Sequence, residues 1–587
     1  MFSCSVLGEG LLRRRGRAVV AAAVTLACLG TASGLYAARP SPSTRQPHQP
    51  GVVAPSPGER PNGRTVVVPT PRVTKPNILV VMLDDMRSDE LRFAPNARRY
   101  VRDRGLDFRN SFSPYPLCCP ARASFLLGKY AHNHGVLYHD APYGFGALDD
   151  HLTIGGRMQD AGYRTALVGK YLNRYGEQPS RVTGGPSEHY VPPGWTDWMV
   201  GLETPFSRSS PNWGNTYNYF AFTQNINGRT VPHTGQYSST VIGDEVRGLI
   251  GKYHREDAPF FLWVTPVAPH IGDPVEPDDP PAYRESPHWV QEFPTPARPA
   301  WVKGKFDRRI THAPGDPLHG PAEADVSDKP RNIRKWREMV PAEKLRLRDV
   351  ARQRAESIYA WDVEFGKIVQ ELKASGEYDD TVIVFTSDNG YYLGEHRQRE
   401  GKIKAHEPVL HVPLQVAGPG IAQGVRYHPI TTMDLTATLL DLAGARRLPA
   451  MDGASEVAEM TGPDRPWTVP VVTEGLIKDV WRRRSSDLPK GLTTSGLRVG
   501  RWKLIRYANG ESELYDLMRD PNELSSVYAD PAHASIRREM VRLWEQYKSC
   551  AGAACRVPLP ADLQASPAWL ALQDRNAVHA RNAYYDH

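Results

Sequence analysis

A chain of 587 residues exceeds the usual size of one hydrophobic core, so a large domain with a smaller one beside it is expected. A hydrophobic share of 40% is that of a globular protein. The net charge of +7, from 72 basic and 65 acidic residues, is thin over such a surface, and no basic stripe argues for a nucleic acid partner.

Residues 1–38 carry a positive stretch at Arg13 to Arg17 and then a small, apolar run, the pattern of an export signal with cleavage points near Ser33 or Ala38. An uncleaved anchor is the alternative, because the run from Ala18 to Ala38 matches the roughly 20 helical residues that cross a bilayer. Export machinery is therefore an expected partner, and the product is secreted or held at the outer face of the membrane. The arginine run hints at the twin-arginine route, whereas Cys28 lacks a lipoprotein context, with Thr25 where a leucine would be needed. Residues 39–74 are rich in Pro, Ser and Gly and read as a linker.

The folded part begins near Lys75. Residues 77–83 (NILVVML) are apolar without interruption, as in a strand buried on both faces. Similar runs recur at 163–168, 260–265, 381–387 and 412–417, and Ala355, Ile358, Phe365, Ile368 and Leu372 follow helical spacing between them. Strands alternating with helices predict an α/β sandwich around a largely parallel sheet over residues 75–460. Residues 461–587 read as a smaller α+β domain: 497–507 and 512–517 form an antiparallel hairpin around Asn509-Gly510, and a helix follows near 531–548. Cys550 and Cys555 suit a small disulfide loop in an exported protein.

Sites in parallel sheets form at the carboxyl ends of the strands. Asp84 and Asp85, Lys170, His270, and Asp388 with Asn389 each follow one of these runs. Singly, the aspartates read as helix caps, Asn389-Gly390 as a turn, Lys170 and Lys402 as surface lysines and His270 as a loop histidine. Together they concentrate negative charge that repels itself without a cation. Hard oxygen donors favour calcium, with magnesium second, and the scarcity of Cys and His there argues against zinc. Cys118 and Cys119 stand just before Pro120, at a helix N-terminus whose free N–H groups favour an anion.

Cys118-Cys119-Pro120-Ala121-Arg122 fits C-x-P-x-R, and "ASFLLGKY" continues it. From Lys75 to about Ala551 the chain resembles the type I sulfatases of the alkaline phosphatase superfamily. The resemblance implies an alkaline phosphatase-like α/β/α fold with a C-terminal antiparallel sheet. It implies that a formylglycine-generating enzyme oxidises Cys118 to formylglycine (3-oxoalanine), leaving Cys119 as the variable position. The aldehyde hydrates, one hydroxyl attacks sulfur, and the other expels sulfate by elimination. Asp84, Asp85, Asp388 and Asn389 are the implied calcium ligands, and Arg122 holds the hydrate. Lys170 and Lys402 bind sulfate oxygens, and His270 is the acid for the leaving alcohol.

Leu172 occupies the place of a histidine that commonly helps to expel sulfate, and His132 or His134 is a substitute. His406 stands where an aromatic residue commonly precedes the glutamate, here Glu407. "GKYLNRYG", "PPGWTDW" and "HNHG" resemble the branch of N-acetylglucosamine-6-sulfatases and heparan sulfate endosulfatases. The expected activity is sulfate release from a sulfated small molecule or glycan, such as a 6-O-sulfated glucosamine. A phosphonate or phosphodiester hydrolase and an unconverted glycan-binding pseudoenzyme are the competing readings. Residues 286–339 form a connection too long to be routine, which reads as a solvated insertion or as a source of Trp and Arg for sugar binding.

Overall fold

The computed structural model describes residues 75–286, 289–476 and 487–585. The export segment and the linker fall outside these. Among the described residues no helix is long and apolar enough to cross a membrane.

A ten-stranded mixed sheet organises the chain. In spatial order its strands are Gly424–Arg426, Leu106–Phe108, Leu414–Ala417, Thr381–Ser387, Asn77–Leu83, Phe260–Thr265, Arg164–Gly169, Asp197–Gly201, Ala221–Ile226 and Arg229–Thr234. The run from Thr381–Ser387 to Asp197–Gly201 is parallel, and both flanks turn antiparallel. Residues 412–417, expected as a strand, pair only from Leu414 and run antiparallel to Thr381–Ser387.

The apolar run of the Asn77–Leu83 strand follows from its two buried faces. Ile78, Val80 and Met82 pack with Phe125, Ile154 and Leu435, from helices Cys118–Leu127, Ile154–Asp160 and Thr432–Leu442. Leu79, Val81 and Leu83 pack with Ala97, Val246, Ile358 and Phe365, from helices Pro95–Tyr100, Ser238–Arg255 and Pro341–Ala374. The result is an α/β/α sandwich. Each such side chain contributes about 1.5–3 kcal/mol on burial. A polar residue in that strand would therefore break one of the two layers.

A second, four-stranded antiparallel sheet runs Val471–Gly475, Thr494–Val499, Trp502–Tyr507, Ser512–Asp516. Residues 497–507 are thus two strands and not the single one expected. Val499 pairs with Trp502 across a turn in which Gly500 adopts φ 50°, a left-handed value that favours glycine. A 3-10 turn, Pro531–His533, leads into the helix Ala534–Tyr547, and Cys550 is bonded to Cys555. Both sheets lie within one compact unit, Val73–His587.

The long connection at 286–339 is not a loose insertion. Phe293, Val302, Phe306 and Ile310 enter the core beneath the Pro341–Ala374 helix, and buried Arg298 binds Glu356 at 3.0 Å and Asp278 at 2.6 Å.

Candidate active site

The register of the parallel strands brings their carboxyl ends level. Leu83 pairs with Ser387 and Gly169 with Thr265, so Asp84, Asp388 and Lys170 each emerge one residue later at the same edge. The site is built there.

Cys118 is the first residue of the Cys118–Leu127 helix, entered from extended Leu117. Pro120 lies in the first turn, where its missing N–H costs no helix bond. The two cysteines diverge at once. Cys119 joins the apolar cluster under the sheet, whereas Cys118 Sγ lies 3.3 Å from Asn173 Oδ1 and 3.4 Å from Lys402 Nζ. Both are buried and unbridged. Burial pushes the Cys118 thiol up, with Asp84 and Asp388 in the same direction, while Lys170 and Lys402 pull it down.

Arg122 follows one helical turn later, on the same face. Its Nε donates to Asp388 Oδ2 at 2.7 Å and its Nη1 to the Lys170 carbonyl at 2.8 Å. Lys170 Nζ lies 2.5 Å from Asp84 Oδ2, and Lys402 Nζ contacts Asp85 Oδ1. Burial alone would raise both aspartates, but Lys170 and Lys402 hold them below the usual carboxylate range. Asp388 Oδ1 accepts from the Asp85 and Asn389 backbone N–H groups at 3.1 and 2.8 Å, and Asn389 Nδ2 donates to Asp85 Oδ1 at 2.7 Å. His270 Nδ1–H donates to the Ile271 carbonyl at 2.7 Å, which leaves Nε2, 3.7 Å from Asp85 Oδ2, as the titrating nitrogen. Burial lowers His270 below the ordinary imidazole value, against the opposing pull of Asp84 and Asp85.

The nine residues singled out in the sequence thus converge, and their single-residue alternatives find no support in this geometry. The next helical turn is capped by Arg87, not by Asp84 or Asp85. Asp85 holds φ 70°, a costly conformation for a non-glycine residue. Gly390 lies where a Cβ would come within 2.2 Å of the Pro408 carbonyl, so it serves a close approach rather than a hairpin. Lys170 is 1% exposed.

Two expectations need correction. His132 is committed to Glu474 through Nδ1 and to the Cys550 carbonyl through Nε2 at 2.7 Å; His134 Nε2 meets Ser124 Oγ at 3.0 Å. Neither contacts the nucleophile position. Besides His270, His139 lies near the two lysines, and its Nε2 is buried with no hydrogen-bond partner among the described residues. Burial, with Lys402 and Lys170 beside it, pushes that ring down to about 3. Leu172 is buried in the apolar cluster that also holds Cys119. His406 is buried against Tyr392 Oη at 2.6 Å. Asn173, Tyr217 and Glu203 were not anticipated; only Asn173 lay within a stretch the sequence had marked, "GKYLNRYG".

The donor set fits a hard cation. Asp84 Oδ1 and Asn389 Oδ1 are buried oxygens without hydrogen-bond partners, and Asp84, Asp85 and His270, as well as Asp84, Cys118 and Asp388, offer ligand atoms within 4.8 Å of one another.

Comparison with known proteins gives the family. The sulfatase family model matches residues 76–445, and a model for the C-terminal part of N-sulphoglucosamine sulphohydrolase matches 394–549. An arylsulfatase of Volvox carteri is 28% identical over 547 residues, covering 87% of this chain and 79% of its own. N-acetylglucosamine-6-sulfatase of Homo sapiens is 25% identical over 526 residues, covering 82% and 86%. A solved structure in complex with its substrate, D-glucosamine-2-N,6-O-disulfate, superposes with a TM-score of 0.57 at 19% identity, over 80% of this chain and 97% of that one. With its fold, its convergent strand-end site and a family match over most of its length, the chain belongs to the sulfatase family and is a sulfuric ester hydrolase.

Proposed function

We propose that the protein releases sulfate from a sulfated sugar, a 6-O-sulfated glucosamine or its oligosaccharide, using formylglycine made from Cys118. The observation that carries this reading is the setting of Cys118 Sγ. It stands at a helix N-terminus, 3.4 Å from the Lys402 ammonium, with Arg122 one turn behind it. That is a nucleophile position facing an anion.

In this reading the sulfur marks where an oxygen of the hydrated aldehyde stands. Arg122, fixed by Asp388 and the Lys170 carbonyl, holds the hydrate in line. Lys170 and Lys402 bind sulfate oxygens and offset charge that grows in transfer. His270 Nε2 delivers a proton to the departing alcohol oxygen, its ring held by the Ile271 carbonyl. Asp84, Asp85, Asp388 and Asn389 would hold calcium, which would polarise a sulfate oxygen and lower the pKa of the hydrate. The sugar assignment draws on "GKYLNRYG" and on the glucosamine sulfatases among the relatives.

The remaining parts of the proposal follow from this chemistry. A formylglycine-generating enzyme acts during maturation, residues 1–38 direct export or anchor the chain outside, and residues 461–587 form the smaller domain. Mass spectrometry of the tryptic peptide around Cys118 tests the nucleophile, an aldehyde being expected. Sulfate release from a panel of sulfated monosaccharides and glycosaminoglycan oligosaccharides tests the substrate. Activity confined to aryl or alkyl sulfates would refute the sugar assignment, and faster turnover of matched phosphodiesters would favour the phosphodiesterase alternative.

A further inference from the structure

Leu172 turns into the apolar layer, but the next residue turns the other way. Asn173 Oδ1 accepts from Cys118 Sγ at 3.3 Å, and its Nδ2 donates to Tyr217 Oη at 2.5 Å. Tyr217 Oη donates to Glu203 Oε1 at 2.8 Å, and Glu203 Oε2 accepts from the Arg174 backbone N–H at 2.9 Å. The chain of bonds therefore returns to the residue beside Asn173 and closes on itself.

With Glu203 ionised, the bonds of this closed chain run in one direction. Glu203 takes the hydroxyl proton of Tyr217, so Tyr217 can only accept from Asn173. Asn173 must then present Nδ2 to the tyrosine and Oδ1 to position 118. A flipped amide would set an oxygen against a tyrosine whose proton is already committed. Tyr217 also lies under Lys170 Nζ, 5.0 Å from its ring centroid, and against the His270 ring at 4.8 Å, so one ring braces three groups of the site. Nothing in the C-x-P-x-R pattern or in the strand-end carboxylates calls for this arrangement.

We propose that Asn173 is a catalytic residue: of the two hydrate hydroxyls that replace Sγ, the one on the Lys402 side attacks sulfur, and the one on the Asn173 side, which does not carry sulfate, donates a hydrogen bond to the amide oxygen. Tyr217 and Glu203 are positioning residues that lock its orientation. The inference rests on the formylglycine reading above. When sulfate is released, the O–H bond of that free hydroxyl breaks and its electron pair forms the aldehyde C=O. The bond from the same carbon to the sulfate-bearing oxygen breaks, and sulfate leaves with that pair. The proton passes to water, the co-substrate of the hydrolysis. An amide oxygen does not keep a proton at neutral pH; Asn173 aims the hydroxyl and selects which of the two remains free for elimination.

The test uses the full-length protein produced with a formylglycine-generating enzyme, and para-nitrophenyl sulfate as the probe, because its good leaving group makes release the slow step. Steady-state turnover is quenched, and the peptide containing residue 118 is analysed by mass for aldehyde and for covalent sulfate. In Asn173→Ala, kcat and KM are expected to fall together by about 100-fold, with sulfated residue 118 accumulating. Tyr217→Phe, which leaves Asn173 present but unlocked, is expected to fall by about 10-fold with the same accumulation. A role confined to folding would lower the yield of active protein without building up the ester. Wild-type kcat in Asn173→Ala, or a slowed variant whose aldehyde stays unsulfated, overturns the inference alone. A wild-type protein whose Cys118 remains a thiol overturns the formylglycine reading and this inference with it.

Discussion

Two buried charge clusters of this molecule invite comparison. One lies at the carboxyl ends of the parallel strands, around Cys118. The other lies under the four-stranded sheet, where Lys503 meets Glu407 at 3.0 Å and Glu523 at 2.8 Å. Beside it, Glu513 accepts from Tyr507 and Tyr515 at 2.6 Å each. In the second cluster, tyrosine hydroxyls and a lysine hold the carboxylates in a polar network. In the first, Asp84 and Asp388 converge with a thiol, and Asp85 sits in a costly backbone conformation. What distinguishes the working site is the convergence of hard oxygen donors and a thiol at the carboxyl ends of the strands, not the mere presence of buried charge.

The comparison breaks most visibly at Cys118. Cys118→Ala is expected to lose about 10^4-fold or more in turnover, and Cys118→Ser to stop after one sulfate per chain, since a seryl ester has no second hydroxyl to expel it. Multiple turnovers by the serine variant would contradict the chemistry.

The structural cluster should respond in stability instead. Lys503→Ala leaves Glu407 and Glu523 buried without their shared cation, which is expected to cost about 3–5 kcal/mol. Thermal unfolding should register this while kcat per folded molecule holds. A large loss of kcat with unchanged Tm would mean that the two clusters are not separable.

A pH test sharpens the same division. Burial disfavours charge on His132, yet Glu474 outweighs it and holds the ring up at about 9. A raised folded-state pKa means that the stabilisation is complete below the unfolded value near 6.5 and disappears as pH rises through about 9. Tm should therefore decline between these limits, by an amount corresponding to about 3 kcal/mol at most. His132→Gln should flatten that decline, and an unchanged profile would refute the assignment.

Metal content gives a smaller but cleaner distinction. About one calcium per chain is expected in the purified protein, removable by chelator and reduced in Asn389→Ala. Stoichiometric zinc in elemental analysis would sink the ligand assignment. The smallest effect is expected at Cys119→Ala, which removes one sulfur from the apolar layer and should cost about 1 kcal/mol in stability with kcat largely retained.

The aspartates of the site were legible because they close apolar runs, and a run buried on both faces has an abrupt polar boundary, whereas Cys118 and Arg122 were legible through C-x-P-x-R and Lys402 through the resemblance. Asp84 after NILVVML and Asp388 after TVIVFTS are of this kind. The turn at Gly500 was not legible, since LRVGRWKLIRY reads as one extended segment and a single glycine does not announce a reversal. Tyr217 and Glu203 were invisible for another reason. They lie in the connection between strands Asp197–Gly201 and Ala221–Ile226, where no periodicity constrains a side chain, and they meet Asn173 only through the tertiary fold. The same holds for His139, which the eye passes over for the neighbouring HNH triplet.

The complete burial of Cys118 carries a consequence for biosynthetic timing. At 0% exposure, and with its helix clamped between the sheet and the Thr432–Leu442 helix, the thiol offers no approach to a modifying enzyme once the chain has folded. On the proposed chemistry, oxidation has to reach position 118 while the segment is still an open peptide. On the same proposal, a molecule that folds first becomes a stable, correctly shaped and silent copy of the enzyme.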